Sequence, residues 1–159
     1  MDKSALIRSI VLQLEADLAM QTAAAHASKA EATDEESRAE DKYDMRSQSA
    51  AYLAAGQAKL ASDLLDAIAA WNSLAPKAFE PGQAIATGAL VTLESKGRSA
   101  AYLMGPAAGG LEASDGSSTA TVVTAASPLG RQLLGRRAGD DVKIADRLGP
   151  VIHRVTSVI

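Results

Sequence analysis

Residues 50–74 read AAYLAAGQAKLASDLLDAIAAWNSL, and the spacing inside this stretch decides the architecture of the chain. Ala50, Leu53, Gln57, Leu60, Leu64, Ala67, Trp71 and Leu74 step by alternating threes and fours, the seam of a helix that packs along a second helix. A matching track lies upstream at Ile7, Val11, Leu14, Leu18, Gln21 and Ala25. In an antiparallel pair, facing positions share a constant total of residue numbers. Ile7/Trp71, Val11/Ala67, Leu14/Leu64, Leu18/Leu60, Gln21/Gln57 and Ala25/Leu53 all total 78. Two regular heptads always yield some constant, so the total serves to place the turn, near residue 39. Thr33 with Glu36, and Ser37 with Glu40, each fit a capping box that could begin the second helix. The seam is large and apolar at Ile7, Leu14, Leu64 and Trp71 and small at Ala25, Ala32 and Ala39. The expectation is a slender hairpin closed on itself, and therefore a monomer.

Composition changes at the end of this stretch. All five prolines lie at or after Pro76, and of 12 glycines only Gly56 precedes it. Residues 1–75 carry 7 Lys+Arg against 12 Asp+Glu, net -5; residues 76–159 carry 9 against 7, net +2. Two domains are expected, 1–75 helical and 76–159 rich in turns and strands. The 159 residues include no cysteine, which excludes disulfides, thiolate metal sites and cysteine nucleophiles. Aromatics make up 3 %, too few for stacking platforms along single-stranded nucleic acid. The opening residues fit neither a signal peptide nor a membrane span, and a cytoplasmic setting without membrane partners is the expectation.

The hairpin end is acidic. Within 33–44 stand Asp34, Glu35, Glu36, Glu40, Asp41 and Asp44, with Arg38 and Lys42 between them. Carboxylates there can serve the positive end of the second helix. They can also deliver oxygen ligands to a Mg²⁺ held elsewhere, since that ion takes one or two carboxylates plus water and phosphate. Glu40 and Asp44 share a helix face, as do Asp41 and Asp44. Nothing encloses the tip, so no metal site of the free chain is expected.

In the second half, 89–93, 99–104, 119–124, 141–145 and 151–158 read as strands. Connections are short, so a mostly antiparallel sheet is expected, with Gly105–Gly110 as a hairpin loop. Ser127 as N-cap, Pro128 at the first helical position and Gly135 at the end bound one short helix. Arg131, Arg136 and Arg137 cluster about it, either a solvated face or a surface for an acidic partner. His26 and His153 stand alone, and no Ser/His/Asp arrangement is present.

The run Ser127-Pro-Leu-Gly-Arg-Gln-Leu-Leu-Gly-Arg-Arg-Ala-Gly-Asp-Asp-Val142 resembles the C-terminal signature of the Gre-type transcription elongation factors. Tyr102-Leu-Met-Gly-Pro, Gly109-Gly110 and Val122-Val123-Thr124 match in order. The resemblance implies an α+β chain: an N-terminal antiparallel coiled coil followed by an FKBP-like β domain with one short helix. It implies an accessory factor, not an enzyme in its own right. RNA polymerase would be the partner, gripped at the rim of its secondary channel through Ser127, Pro128, Leu129, Gly130 and Arg131. The coiled coil would enter the channel and meet the nascent RNA 3′ end only within the complex. Glu36, Glu40, Asp41 and Asp44 would assist the Mg²⁺ of the polymerase active site in cleaving a backtracked transcript, with no cofactor of the chain's own. The tip departs from the cleaving members' Asp-Leu-Ser-Glu-Asn motif: Glu36-Ser37-Arg38-Ala39-Glu40-Asp41-Lys42-Tyr43 matches it only with an insertion. A channel-binding inhibitor without cleavage activity and a coiled-coil adaptor outside transcription are the alternatives. An isomerase reading needs an aromatic-lined pocket, and Tyr102 and Phe79 alone do not supply one.

Overall fold

The computed structural model describes residues 1–33, 45–146 and 149–159. Helix α1 spans Lys3–Thr33 and α2 spans Met45–Ser73. The strands are β1 Leu90–Ser95, β2 Arg98–Gly105, β3 Glu112–Ser114, β4 Thr119–Thr124, β5 Asp141–Asp146 and β6 Gly149–Val158, with α3, Pro128–Leu133, between β4 and β5. This is a helical hairpin followed by a mixed sheet with one short helix, the order read from the sequence. The chain packs as two compact units, Met1–Val11 with Ala70–Ile159, and Leu12–Ala69.

In the Leu12–Ala69 unit the expected α1 seam holds: Leu14 is buried, and Leu18, Gln21 and Ala25 are half-buried. On α2 the seam departs from the expected row. Leu53 and Leu60 are 57 % and 53 % exposed, and the half-buried line runs Gln57, Ala61, Leu64, Ile68 instead. The half-buried row steps by four, three and four like the expected seam, but it lies one residue round from Leu60, at Ala61.

The sheet order is β3-β4-β2-β1-β6-β5. Every neighbouring pair is antiparallel except β2 and β4, which run parallel from Tyr102↔Thr121 to Gly105↔Thr124. The 105–110 segment is therefore no hairpin loop. It passes from β2 to β3 beyond β4, which then returns between them. The short β3, with its buried Ala113, was too brief to register as a strand in the sequence.

Both faces of the sheet carry buried side chains. Ile85, Ala89, Val91, Leu93, Met104, Val123, Leu133, Val142 and Val155 form the core on the α3 side. On the other side Leu103, Ala113, Ala120 and Val122 are buried, as are Leu6, Ile10 and Trp71 from the helices. Sequence reading placed Ile7 and Val11 innermost on α1; here Leu6 and Ile10 are fully buried, because this part of the helix belongs to the sheet-bearing unit. Trp71 lies against β2 at Gly105, where an added Cβ would come within 2.4 Å of the indole and 2.9 Å of Val122.

The first turn of α1 is stitched to the same unit. Asp2 caps it, its carboxylate accepting from the Ser4 N–H at 2.8 Å. The Lys3 ammonium donates to the carbonyls of Lys77 and Gly88 and stands 5.1 Å from the Phe79 ring centre. Partial burial lowers its pKa. The Asp2 N–H donates to Asp115 at 3.0 Å, and the Ser117 and Ser118 N–H groups donate to the same carboxylate at 3.0 and 2.8 Å. These backbone donors, Asp2 first, hold the Asp115 carboxyl well below the usual carboxylate range.

Two measurements check this packing. Gly105→Ala is expected to destabilise the protein by about 2 kcal/mol, because a buried indole and a β-branched side chain must both move; denaturant unfolding followed by fluorescence of the single tryptophan reads it. The Asp115 tether is expected to be intact at neutral pH. Because its folded pKa is depressed, its contribution is complete above the ordinary carboxylate value of about 4 and fades as pH falls below it. Protection of the Asp2, Ser117 and Ser118 amides relative to their intrinsic exchange rates is then expected to persist well below that pH, until the Asp115 carboxyl itself protonates, and to be lost at every pH in Asp115→Ala.

Candidate partner-docking site

The five residues Ser127–Arg131 form the corner where β4 turns into α3. Ser127 takes an extended backbone, and its Oγ accepts from the Gly130 N–H at 3.0 Å while donating to the Thr124 carbonyl at 2.9 Å. Pro128 occupies the first helical position, where its missing N–H costs nothing. At Gly130 an added Cβ would lie 1.9 Å from the Thr124 carbonyl oxygen, so the corner closes only over a glycine. Leu129 packs on the core and Leu133 is fully buried.

The corner therefore divides its labour. Ser127 and Gly130 shape it, Leu129 anchors it, and Pro128 and Arg131 face solvent. The Arg131 guanidinium is braced on the Ala126 carbonyl and that of Arg137 on the Gly82 carbonyl at 3.0 Å. Arg136, also exposed, lends its carbonyl to the Ile85 N–H at 2.7 Å. None of the three arginines makes an ion pair among the described residues. The result is a cationic edge held in place by backbone acceptors, with Leu134 48 % exposed beside it. Sequence reasoning missed the bracing and Leu134. The Arg137 brace depends on where the chain returns near Gly82, which no local pattern reveals.

The acidic candidates Glu36, Glu40, Asp41 and Asp44 lie outside the described residues. Among the described residues no group of three or more His, Asp or Glu side chains could hold a metal ion. No helix among them is long and apolar enough to cross a membrane.

By its fold the chain is a helical-hairpin protein carrying a mixed-sheet domain. No protein-family model matches it, and neither does any curated protein. It is similar to the crystal structure of GreA factor homolog 1 (Gfh1) of Thermus thermophilus, at 21 % identity over 94 % of each chain with a TM-score of 0.41. It is also similar to Thermus aquaticus Gfh1, at 20 % identity over 92 % of this chain and 91 % of that one, TM-score 0.40. The GreA/GreB factor of Nitrosomonas europaea covers 68 % of this chain and 91 % of its own, at 16 % identity and TM-score 0.38.

Two substitutions separate shaping from capping at the corner. Ser127→Ala is expected to cost about 1 kcal/mol, the loss of one N-cap. Gly130→Ala is expected to cost about 3 kcal/mol, because the obstacle is a backbone carbonyl that cannot swing away. Urea unfolding monitored by circular dichroism ranks the two.

Proposed function

We propose that this chain is an RNA polymerase accessory factor of the Gre type. The sheet-bearing unit grips the polymerase through the α3 corner, and the helical hairpin enters the secondary channel. The observation that carries this reading is the Ser127–Val142 run. Its Ser-Pro-Leu-Gly-Arg segment builds a rigid, capped corner with a braced cationic edge, suited to an acidic protein surface. The mildly basic half supplies the grip and the acidic half the probe.

At the tip, Glu36, Glu40, Asp41 and Asp44 supply the carboxylate oxygens that Mg²⁺ accepts alongside water and phosphate. The ion belongs to the polymerase, where it polarises phosphoryl oxygen and activates water. The role of this chain is to bring acid to that place, so that cleavage of a backtracked transcript proceeds in the polymerase's own active site. On this reading the free chain carries no catalytic residue and meets RNA only inside the complex.

The test is a pull-down with core polymerase followed by transcript cleavage on a stalled, backtracked complex. Binding is expected, with cleavage stimulated, and Arg131→Glu is expected to weaken binding about tenfold by reversing a charge at the contact. The Glu40→Ala/Asp41→Ala pair is expected to leave binding intact and remove the stimulation. Binding with no stimulation would convert the reading to a channel-blocking inhibitor. Absence of binding would remove the whole class.

A further inference from the structure

The α3 side of the sheet is not closed along its whole length. Strands β2 and β4 run parallel, and β4 leads into α3 beside Gly105, so the helix covers the Gly105 end of β2. Arg98, at the other end of this eight-residue strand, is roughly 23 Å away at about 3.3 Å per residue. There the same face opens into a hollow of about 480 Å³. Leu93, Ala100, Ile144 and Val151 make its aliphatic lining, and Leu93 belongs to the domain core.

Its mouth is cationic. Lys96 and Arg98 line it, with Ser95, Ser99 and His153 as hydrogen-bonding groups, and no Asp or Glu lines it among the described residues. Neither Lys96 nor Arg98 makes an ion pair among the described residues. Lys96 also holds an unusual backbone. With Gly97 it forms the two-residue β1–β2 turn, at φ 50° and 71° respectively. Such turns favour Asn or Gly at the first position. A lysine there places its charge at the mouth in spite of that preference. A neighbouring hollow shares Ser95, Lys96 and Val151 with this one and carries the acids Glu94 and Asp141, of which Asp141 is paired with Arg154 at 3.0 Å.

An aliphatic pocket whose described lining carries two cations and no carboxylate selects an anion that carries an apolar side chain. The described lining holds no Phe, Tyr or Trp and a single imidazole, His153, so nucleotide bases find little to stack on, and two cations are few for a phosphate chain. The volume falls in the range of ligand pockets and suits a few side chains of an extended peptide. We propose that this hollow is a peptide-docking site for a protein segment bearing an acidic residue next to a large aliphatic one, the carboxylate at Lys96 and Arg98 and the aliphatic group against Leu93, Ile144 and Val151. It lies at the far end of β2 from the α3 corner and is independent of the polymerase reading.

The probe is a blocked octapeptide of alternating Leu and Asp, titrated into the full ¹⁵N- and methyl-labelled chain. Shifts are expected at Lys96–Ala100, Ile144, Val151 and His153, with the α3 corner unmoved. Lys96→Asn/Arg98→Gln is expected to weaken binding about tenfold, in line with the loss of two charge-assisted contacts. Asn suits the turn, so this variant is expected to melt no lower than the parent, and the loss of binding is then not a loss of fold. The Leu/Asn version of the peptide is expected to bind about tenfold more weakly as well. Three results would overturn the proposal: no shifts at millimolar peptide, equal binding of the Leu/Asn peptide, or shifts produced at the same residues by an eight-nucleotide oligo(dT) but not by the Leu/Asp peptide.

Discussion

The contact on which the sheet-bearing unit depends is an indole lying on a glycine. Trp71 is fully buried, and β2 passes beneath it at Gly105, the one residue type whose backbone can approach that ring so closely. Burying an indole removes roughly 200 Å² from water, about 5 kcal/mol as an upper figure. That is comparable to the whole net stability of a small domain. The indole N–H finds no acceptor among the described residues, so the contribution is one of area and shape. With Trp71 in place, Leu6 and Ile10 are sealed as well, and the polar stitches of Asp2 and Lys3 set the start of α1.

The second face of the sheet is organised by α3. Six residues of helix are too short to be stable by themselves. Ser127 caps the turn, Gly130 lets it nest against the Thr124 carbonyl, and Leu133 seats it in the core. The same short helix leaves the Arg98 end of the sheet uncovered. The apolar core and the cationic hollow are thus neighbouring stretches of one face.

Much of this was legible beforehand, and for identifiable reasons. The Pro/Gly boundary, the two heptad tracks and the Ser127-Pro128 cap are local patterns governed by backbone chemistry, and all correspond to elements of the structure. The misreadings share a cause. Gly105–Gly110 read as a hairpin because turn residues report a reversal without reporting which strand follows next in the sheet. Leu53 and Leu60 read as seam because three-and-four spacing fixes a helix face without telling which of two adjacent rows on it is covered. For the docking corner, residue types were readable but roles were not. Ser127 and Gly130 stand out in the sequence, yet they shape the corner, and Pro128 and Arg131 present it.

The sequence by itself determined the order of elements, the charge division between the halves and the identity of the capped corner, because each follows from neighbours a few residues apart. The tertiary structure decided the rest. It made β4 parallel to β2, gave Arg137 its carbonyl brace, and set Lys96 and Arg98 over an aliphatic hollow. These outcomes depend on residues tens of positions apart, from 82 to 155. Their proximity is set by sheet register and core packing, which no short-range pattern encodes.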